Sequence, residues 1–193
     1  MADLLVLASV SPRRAHILRA LGVSFRVVVS GADERLAPGE QGSAAAERLA
    51  RLKAASVARV EPPPILAADT VVVCEGRILG KPDSPDEARE MLRRLSGRTH
   101  EVLTGLCLVD ARGMRSGVER TTVTFAPMSA EEIDWYVATG EPMDKAGAYH
   151  VDGRGALFVS AVDGSPSNVA GLPVRLFLRL AREAGLDVGL AQR

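Results

Sequence analysis

In the stretch ILAADTVVVC, residues 65–74, Asp69 and Thr70 stand between two apolar runs. Val-rich runs of this length bounded by Pro and Gly read as buried strand. A carboxylate is costly to bury unless it is paired or faces a cation. Two readings of Asp69 stand: a turn cap between two strands, a position Asp tolerates, or a cleft carboxylate available for chemistry. Gly80, Lys81 and Pro82 follow, and the proline pushes Lys81 towards extended geometry. A carboxylate and a lysine at the two ends of a short strand pair suggest a site for a polyanion and a metal.

The stretch LASVSPRRAHILRALG, residues 7–22, adds cations. Ser11 is a good N-cap and Pro12 fits the first helical position. Arg13 and Arg14 then fall in the first turn, where the helix dipole favours acids. Two arginines there make sense if an anion binds, met by backbone N–H groups, the Ser9 and Ser11 hydroxyls and forked guanidinium donors. The alternative is a pair of solvated arginines, and the unfavourable dipole tilts the balance towards the anion. Lys53 lies beside the expected apolar face of a helix over 43–60, four residues after Leu49. It either snorkels at the core edge or points its ammonium into a cleft. Asp33 and Glu34 close a strand; they are turn residues, the reading the sequence favours, or one of them holds a cation.

The elements that must position these groups follow from pattern. Strands are expected over 4–8 and 25–29. The first helix ends at Gly22, and the helix over 43–60 buries Leu49, Leu52, Ser56 and Val60. Pro62–64 break the chain. A helix over 84–95 is signalled by Ser84, Pro85 and a capping-box Glu87. Strands over 101–109 and 117–125 form an antiparallel hairpin through Ala111-Arg112-Gly113. A second capping box, Ser129 and Glu132, opens a helix that Gly140 ends. A glycine-dense stretch follows, with a short strand over 157–162; its glycines serve turns or close approach to a ligand. A helix over 172–184 and a frayed tail complete the chain. Strands interleaved with helices, plus one hairpin, indicate a mixed α/β sheet in a single domain.

Composition bounds the function. Of 193 residues 47% are hydrophobic, with few aromatics, so the core is aliphatic. Basic and acidic residues balance at 24 each, which argues against a general binder of nucleic acid or membrane surfaces. Cys74 and Cys107 sit in apolar runs and read as buried free thiols. Asp3 before the first apolar run, with arginines after it, is the wrong order for a signal peptide, and no stretch approaches a membrane span. A soluble cytoplasmic protein is expected. No GxGxxG opens a helix after a strand and no GxxxxGK[ST] occurs. His16, His100 and His150 are too scattered for a zinc site.

LASVSPRR, AADTVV, GKP, LSGRTHEVLTG, EPMDKAGAY and SNVAGLP, in this order and spacing, resemble the Maf family of nucleoside triphosphate pyrophosphatases, historically called septum formation inhibitors. The resemblance runs from about Leu4 to the C-terminal helix. It implies the elongated mixed α/β fold of inosine triphosphate pyrophosphatases, with two lobes around a central cleft. It implies hydrolysis of a nucleoside triphosphate to monophosphate and pyrophosphate with Mg2+ or Mn2+. By the same resemblance, Asp69 is the catalytic carboxylate and proposed general base. Ser9, Arg13, Arg14, Lys53 and Lys81 form the phosphate-binding set, and Glu34 joins Asp69 near the metal. Arg13, Thr70 and Asp152 fall on positions linked to base selection. The expected partner is the nucleotide, with a homodimer left open. The rival class is a non-catalytic nucleotide-binding regulator of cell division; a pure binder has no use for a general base.

AGAY and SPRR resemble the family subgroup that prefers thymidine and uridine triphosphates. That subgroup usually carries Gln where this chain reads His150-Val151-Asp152-Gly153. An ionised Asp only accepts hydrogen bonds, whereas a Gln amide both donates and accepts. A broader base range than in Gln-bearing relatives is therefore expected.

Overall fold

In a computed structural model, residues 4–188 are described. The elements run β1 (Leu5–Leu7), α1 (Pro12–Ala20), β2 (Phe25–Val27), α2 (Gly42–Val57), β3 (Ile65–Cys74), β4 (Arg77–Leu79) and α3 (Pro85–Leu95). They continue β5 (Thr99–Asp110), β6 (Gly113–Phe125), α4 (Ala130–Ala138), β7 (Val159–Asp163), α5 (Pro166–Val169) and α6 (Val174–Ala184). Three 3-10 turns, Glu141–Asp144, Ala146–Ala148 and Arg154–Phe158, fill the glycine-dense stretch. The strands form a seven-stranded sheet in the order β2-β1-β3-β5-β6-β7, with β4 on β3. β1 is parallel to β2 and β3, whereas β4 and β7 are antiparallel to their partners. The mixed α/β class expected from the sequence is the one observed.

The chain divides into two compact units. The first holds the described residues up to Asp69, Thr104–Glu119, and those from Gly171 onward. Its core includes Leu5, Leu7, Leu18, Leu66, Leu106, Leu108, Phe177 and Leu180. A second apolar cluster in it places Ala50, Ala54 and Val57 of α2 with Val6, Ile65, Ala67 and Cys107. The second unit holds Thr70–Leu103 and Arg120–Ala170. Its core gathers Leu92, Leu95, Val123, Phe125, Tyr136, Tyr149 and Phe158. Cys74 and Cys107 are free and buried, and burial pushes the Cys107 thiol up to about 11.

Several elements depart from expectation for identifiable reasons. β3 is one continuous ten-residue strand, so Asp69 caps no turn between two strands. The turn lies later, at Glu75 and Gly76, both at positive φ, and it folds β4 back onto β3. Glu-Gly lacks the Asn or Asp that marks such a hairpin in sequence. The buried face of α2 is not the expected one. Leu52 and Val60 are exposed, Val60 lies beyond the helix, and the buried positions include Ala46, Leu49, Ala50, Lys53, Ala54 and Val57. Small alanines carry little weight in a pattern of large apolar residues, yet they allow close packing. A Cβ on Gly105 of β5 would lie 2.2 Å from the Ala46 carbonyl oxygen. β2 stops at Val27, and Leu157 lies in a 3-10 turn with its side chain exposed.

Capping follows the sequence more closely. Ser84 accepts from the Glu87 N–H at 3.2 Å, but the Glu87 carboxylate reaches the Asp83 N–H at 2.7 Å instead of the cap's own. The Ser129–Glu132 box closes both ways. Ser11 occupies the N-cap of α1 but makes no side-chain cap. Among the described residues no helix is long and apolar enough to cross a membrane. The tail expected to fray lies mostly outside the described residues.

Candidate active site

Shifting the buried face of α2 by one position puts Lys53 in its middle. Only 8% of its side chain is exposed. Burying an ammonium is costly without partners, and here two are supplied. Lys53 Nζ lies 2.6 Å from Asp69 Oδ1 and 2.8 Å from Glu34 Oε2. The lysine therefore does not snorkel; it points inward and joins two carboxylates from distant parts of the chain. Asp69 comes from the middle of β3 and is buried.

Glu34 lies in the irregular segment between β2 and α2, which is fastened to α2 at several points. Arg48 donates to both carboxylate oxygens of Glu40 at 2.7 Å and to the Arg35 carbonyl at 3.1 Å. The Arg48 guanidinium holds the Glu40 carboxyl down at about 2. The Ser56 hydroxyl donates to the Ser30 carbonyl. Asp33 pairs with Arg35 at the surface. Of the adjacent acids, Asp33 is thus the turn residue and Glu34 the one aimed at a cation.

The start of α1 supplies the second half of the cluster. Arg14 is buried, donating from Nη1 to the Ser9 hydroxyl at 2.9 Å and from Nε to the Gly171 carbonyl at 2.8 Å. The Ser9 hydroxyl also accepts from the Ser11 N–H at 3.2 Å. Gly171 adopts a φ of 98°, a conformation that L side chains rarely take. Sequence reasoning counted this glycine only among those of the glycine-dense stretch and gave it no part in the site, because that part is played by a carbonyl. Burial pulls the Arg14 guanidinium below its ordinary value; Asp69 and Glu34 act to raise it and Arg13 to lower it. The four charges are therefore close enough to feel one another. Arg14 is not the solvated arginine of the alternative reading, and Arg13 is half-buried.

Ser9, Arg13, Arg14, Glu34, Lys53 and Asp69 thus all belong to the first unit. The other expected site residues belong to the second. Thr70 follows Asp69 on β3 and is half-buried, Lys81 is exposed after β4, and Asp152 is exposed in a turn. Asp69 and Glu34 carry the hard oxygen donors that a divalent cation takes, and in this structure each turns one oxygen to the Lys53 ammonium. No group of three or more His, Cys, Asp or Glu among the described residues is arranged to hold a metal. An all-protein cage is therefore not what these side chains make. The donor set fits an ion whose remaining ligands are phosphate oxygens and water, the usual pattern for Mg2+.

A family model described as Maf-like protein matches residues 4–184. The chain is 51% identical over 190 residues to the dTTP/UTP pyrophosphatase of Anaeromyxobacter sp. (strain Fw109-5), covering 96% of this chain and 91% of that one. It is 49% identical over 180 residues to the dTTP/UTP pyrophosphatase of Syntrophomonas wolfei subsp. wolfei (strain DSM 2245B / Goettingen), covering 91% and 95%. A distant likeness links it to the crystal structure of the nucleoside-triphosphatase / dITP/XTP pyrophosphatase from Mycobacterium abscessus. The TM-score is 0.43, with 19% identity over 66% of this chain and 75% of that chain.

Proposed function

The chain belongs to the Maf-like protein family, and on that footing we propose that it hydrolyses pyrimidine nucleoside triphosphates, dTTP and UTP first, to monophosphate and pyrophosphate. The observation that carries this reading is Lys53 set between Asp69 and Glu34, beside the Arg14–Ser9 pair. Phosphoanhydride hydrolysis needs charge neutralisation and a positioned water more than covalent chemistry. Water attacks the α-phosphorus, the bond from that phosphorus to the bridging α–β oxygen breaks, and pyrophosphate leaves.

Each residue has a part in this scheme. Asp69 orients the water and takes its proton. Lys53, held by both carboxylates, is positioned to meet triphosphate oxygens as they arrive. Arg14 fixes the Ser9 hydroxyl at the start of α1, and Arg13 adds a second guanidinium there. Lys81 completes the phosphate set. A Mg2+ or Mn2+ ion on Asp69 and Glu34 would supply neutralisation of the triphosphate charge. Thr70, Arg13 and Asp152 select the base.

The relatives named above favour thymidine and uridine triphosphates as substrates. Asp152, which only accepts hydrogen bonds, favours weaker discrimination against cytidine and guanosine triphosphates than a Gln would give. The two statements are compatible if Asp152 meets the base through water. The test is a turnover panel of the common nucleoside triphosphates with Mg2+ or Mn2+, reading pyrophosphate, for wild type and Asp152→Gln. Release of orthophosphate alone, or turnover that survives exhaustive chelation, contradicts the proposal. A binder without turnover would support the regulatory reading, which the general-base carboxylate argues against.

A further inference from the structure

The second unit contains a polar clamp that the reading above does not use. Glu141 opens the first 3-10 turn after α4. Its Oε1 accepts from the Tyr136 hydroxyl at 2.8 Å and from the Gly155 N–H at 3.1 Å. Its Oε2 accepts from the Arg154 N–H at 3.2 Å. The Tyr136 hydroxyl in turn accepts from the His150 N–H at 3.0 Å. Tyr136 is fully buried, so its hydroxyl is an anchor in the core. Burial pushes the Glu141 carboxyl up, but the Tyr136 hydroxyl and the two backbone N–H groups outweigh it and leave the group below its ordinary value.

These bonds grip residues 150–155 from both sides of Asp152. The packing leaves no slack. A Cβ on Gly153 would lie 2.6 Å from Glu141 Oε2, and one on Gly155 2.7 Å from the Tyr136 hydroxyl oxygen. The Gly153 N–H closes the turn on the His150 carbonyl at 3.2 Å. Asp152 itself projects from this turn into solvent.

We propose that Glu141, through Tyr136 and the Arg154 and Gly155 N–H groups, is the positioning residue that sets the angle at which the Asp152 turn meets the base. The inference rests on the assignment of Asp152 to base selection. Glu141→Gln keeps the size of the side chain but turns an N–H2 towards donors it formerly accepted from. The turn then loses its fixed seat while the phosphate-binding residues of the other unit keep theirs.

The experiment measures kcat and KM on dTTP, UTP, CTP and GTP for wild type, Glu141→Gln, Asp152→Ala and the double variant, with melting temperatures alongside. The expected result is a shift of about tenfold in the dTTP-to-GTP ratio of kcat/KM for Glu141→Gln, the scale of one lost hydrogen bond. The shift should lie in KM, with kcat on the best substrate within about threefold. In the Asp152→Ala background Glu141→Gln should change the ratio no further. If Glu141→Gln lowers the melting temperature but keeps wild-type selectivity while Asp152→Ala loses it, the clamp is merely structural and only this inference falls. Wild-type selectivity in Asp152→Ala overturns both it and the base-selection assignment. Tyr136→Phe removes both the hydroxyl's grip on the His150 N–H and its donation to Glu141 Oε1, and the same outcomes decide should Glu141→Gln not fold.

Discussion

Lys53 sits where a hydrophobic side chain would ordinarily belong, on the buried face of α2, so its charge must be matched locally. Removing one partner of a buried ion pair leaves the other charge uncompensated, at about 3–5 kcal/mol. Glu34 is half exposed and recovers water; Asp69, with 11% of its side chain exposed, does not. Lys53→Met is therefore expected to lower unfolding free energy by about 3 kcal/mol, read by urea denaturation. A second substitution, Asp69→Asn, should restore more than half of that loss. Additive losses in the pair would mean that the two do not interact in solution. The sequence pointed to both residues, Asp69 because a carboxylate broke an apolar strand and Lys53 because it lay near an apolar face. Pattern alone gave no sign that they meet, since they lie 16 positions apart across a proline break; only the family resemblance put them in one site. Nor did pattern single out Gly171, whose φ and carbonyl do the work without a side chain.

α2 matters because it delivers Lys53, and its distance from the sheet is set by Gly105. Nothing larger than hydrogen fits there, since an added Cβ would meet backbone atoms of Ala46 and Glu47. Backbone cannot swing aside as a flexible side chain can. Gly105→Ala should therefore cost at least about 1–3 kcal/mol by overpacking and lower turnover by displacing Lys53, even though residue 105 touches no substrate. A melting curve and a kcat measurement on one preparation check this; a stable, fully active variant would show that α2 is not seated against β5 as described. Helix boundaries signalled by chemistry were legible: Ser84 with Pro85, Ser129 with Glu132, Pro12 and Gly140 all mark ends that the structure keeps. The β3–β4 hairpin was not, because Glu75 takes a positive φ without being a residue that favours it. The burial register of α2 is hidden in the sequence, because its small alanines carry little weight in a pattern of large apolar residues.

Stability against pH belongs to the molecule as a whole, and one buried group gives it a testable shape. His100 lies in the second unit between Phe125 and Tyr149, with Nε2 2.9 Å from the Tyr149 hydroxyl. Burial pulls its pKa from 6.5 down to about 4. The unfolded chain takes up this proton as pH falls through 6.5, and the folded protein only near 4, so the contribution is intact above 6.5 and is lost across that window. The loss amounts to roughly 3 kcal/mol. Subtracting the stability–pH profile of His100→Gln from that of wild type should isolate a fall between pH 6.5 and 4; parallel profiles would contradict it. Where the chain divides into its two units was not readable from the residue pattern, because β3, β5 and β6 each contribute residues to both. The family, by contrast, was readable from six short motifs in order along the chain. The most direct test of the account is turnover by Asp69→Asn, assayed as pyrophosphate release from dTTP with Mg2+ on protein that retains nucleotide binding. The expected result is a loss of roughly two to four orders of magnitude, the scale of a general base, with the fold intact; near-wild-type turnover would contradict the role of Asp69.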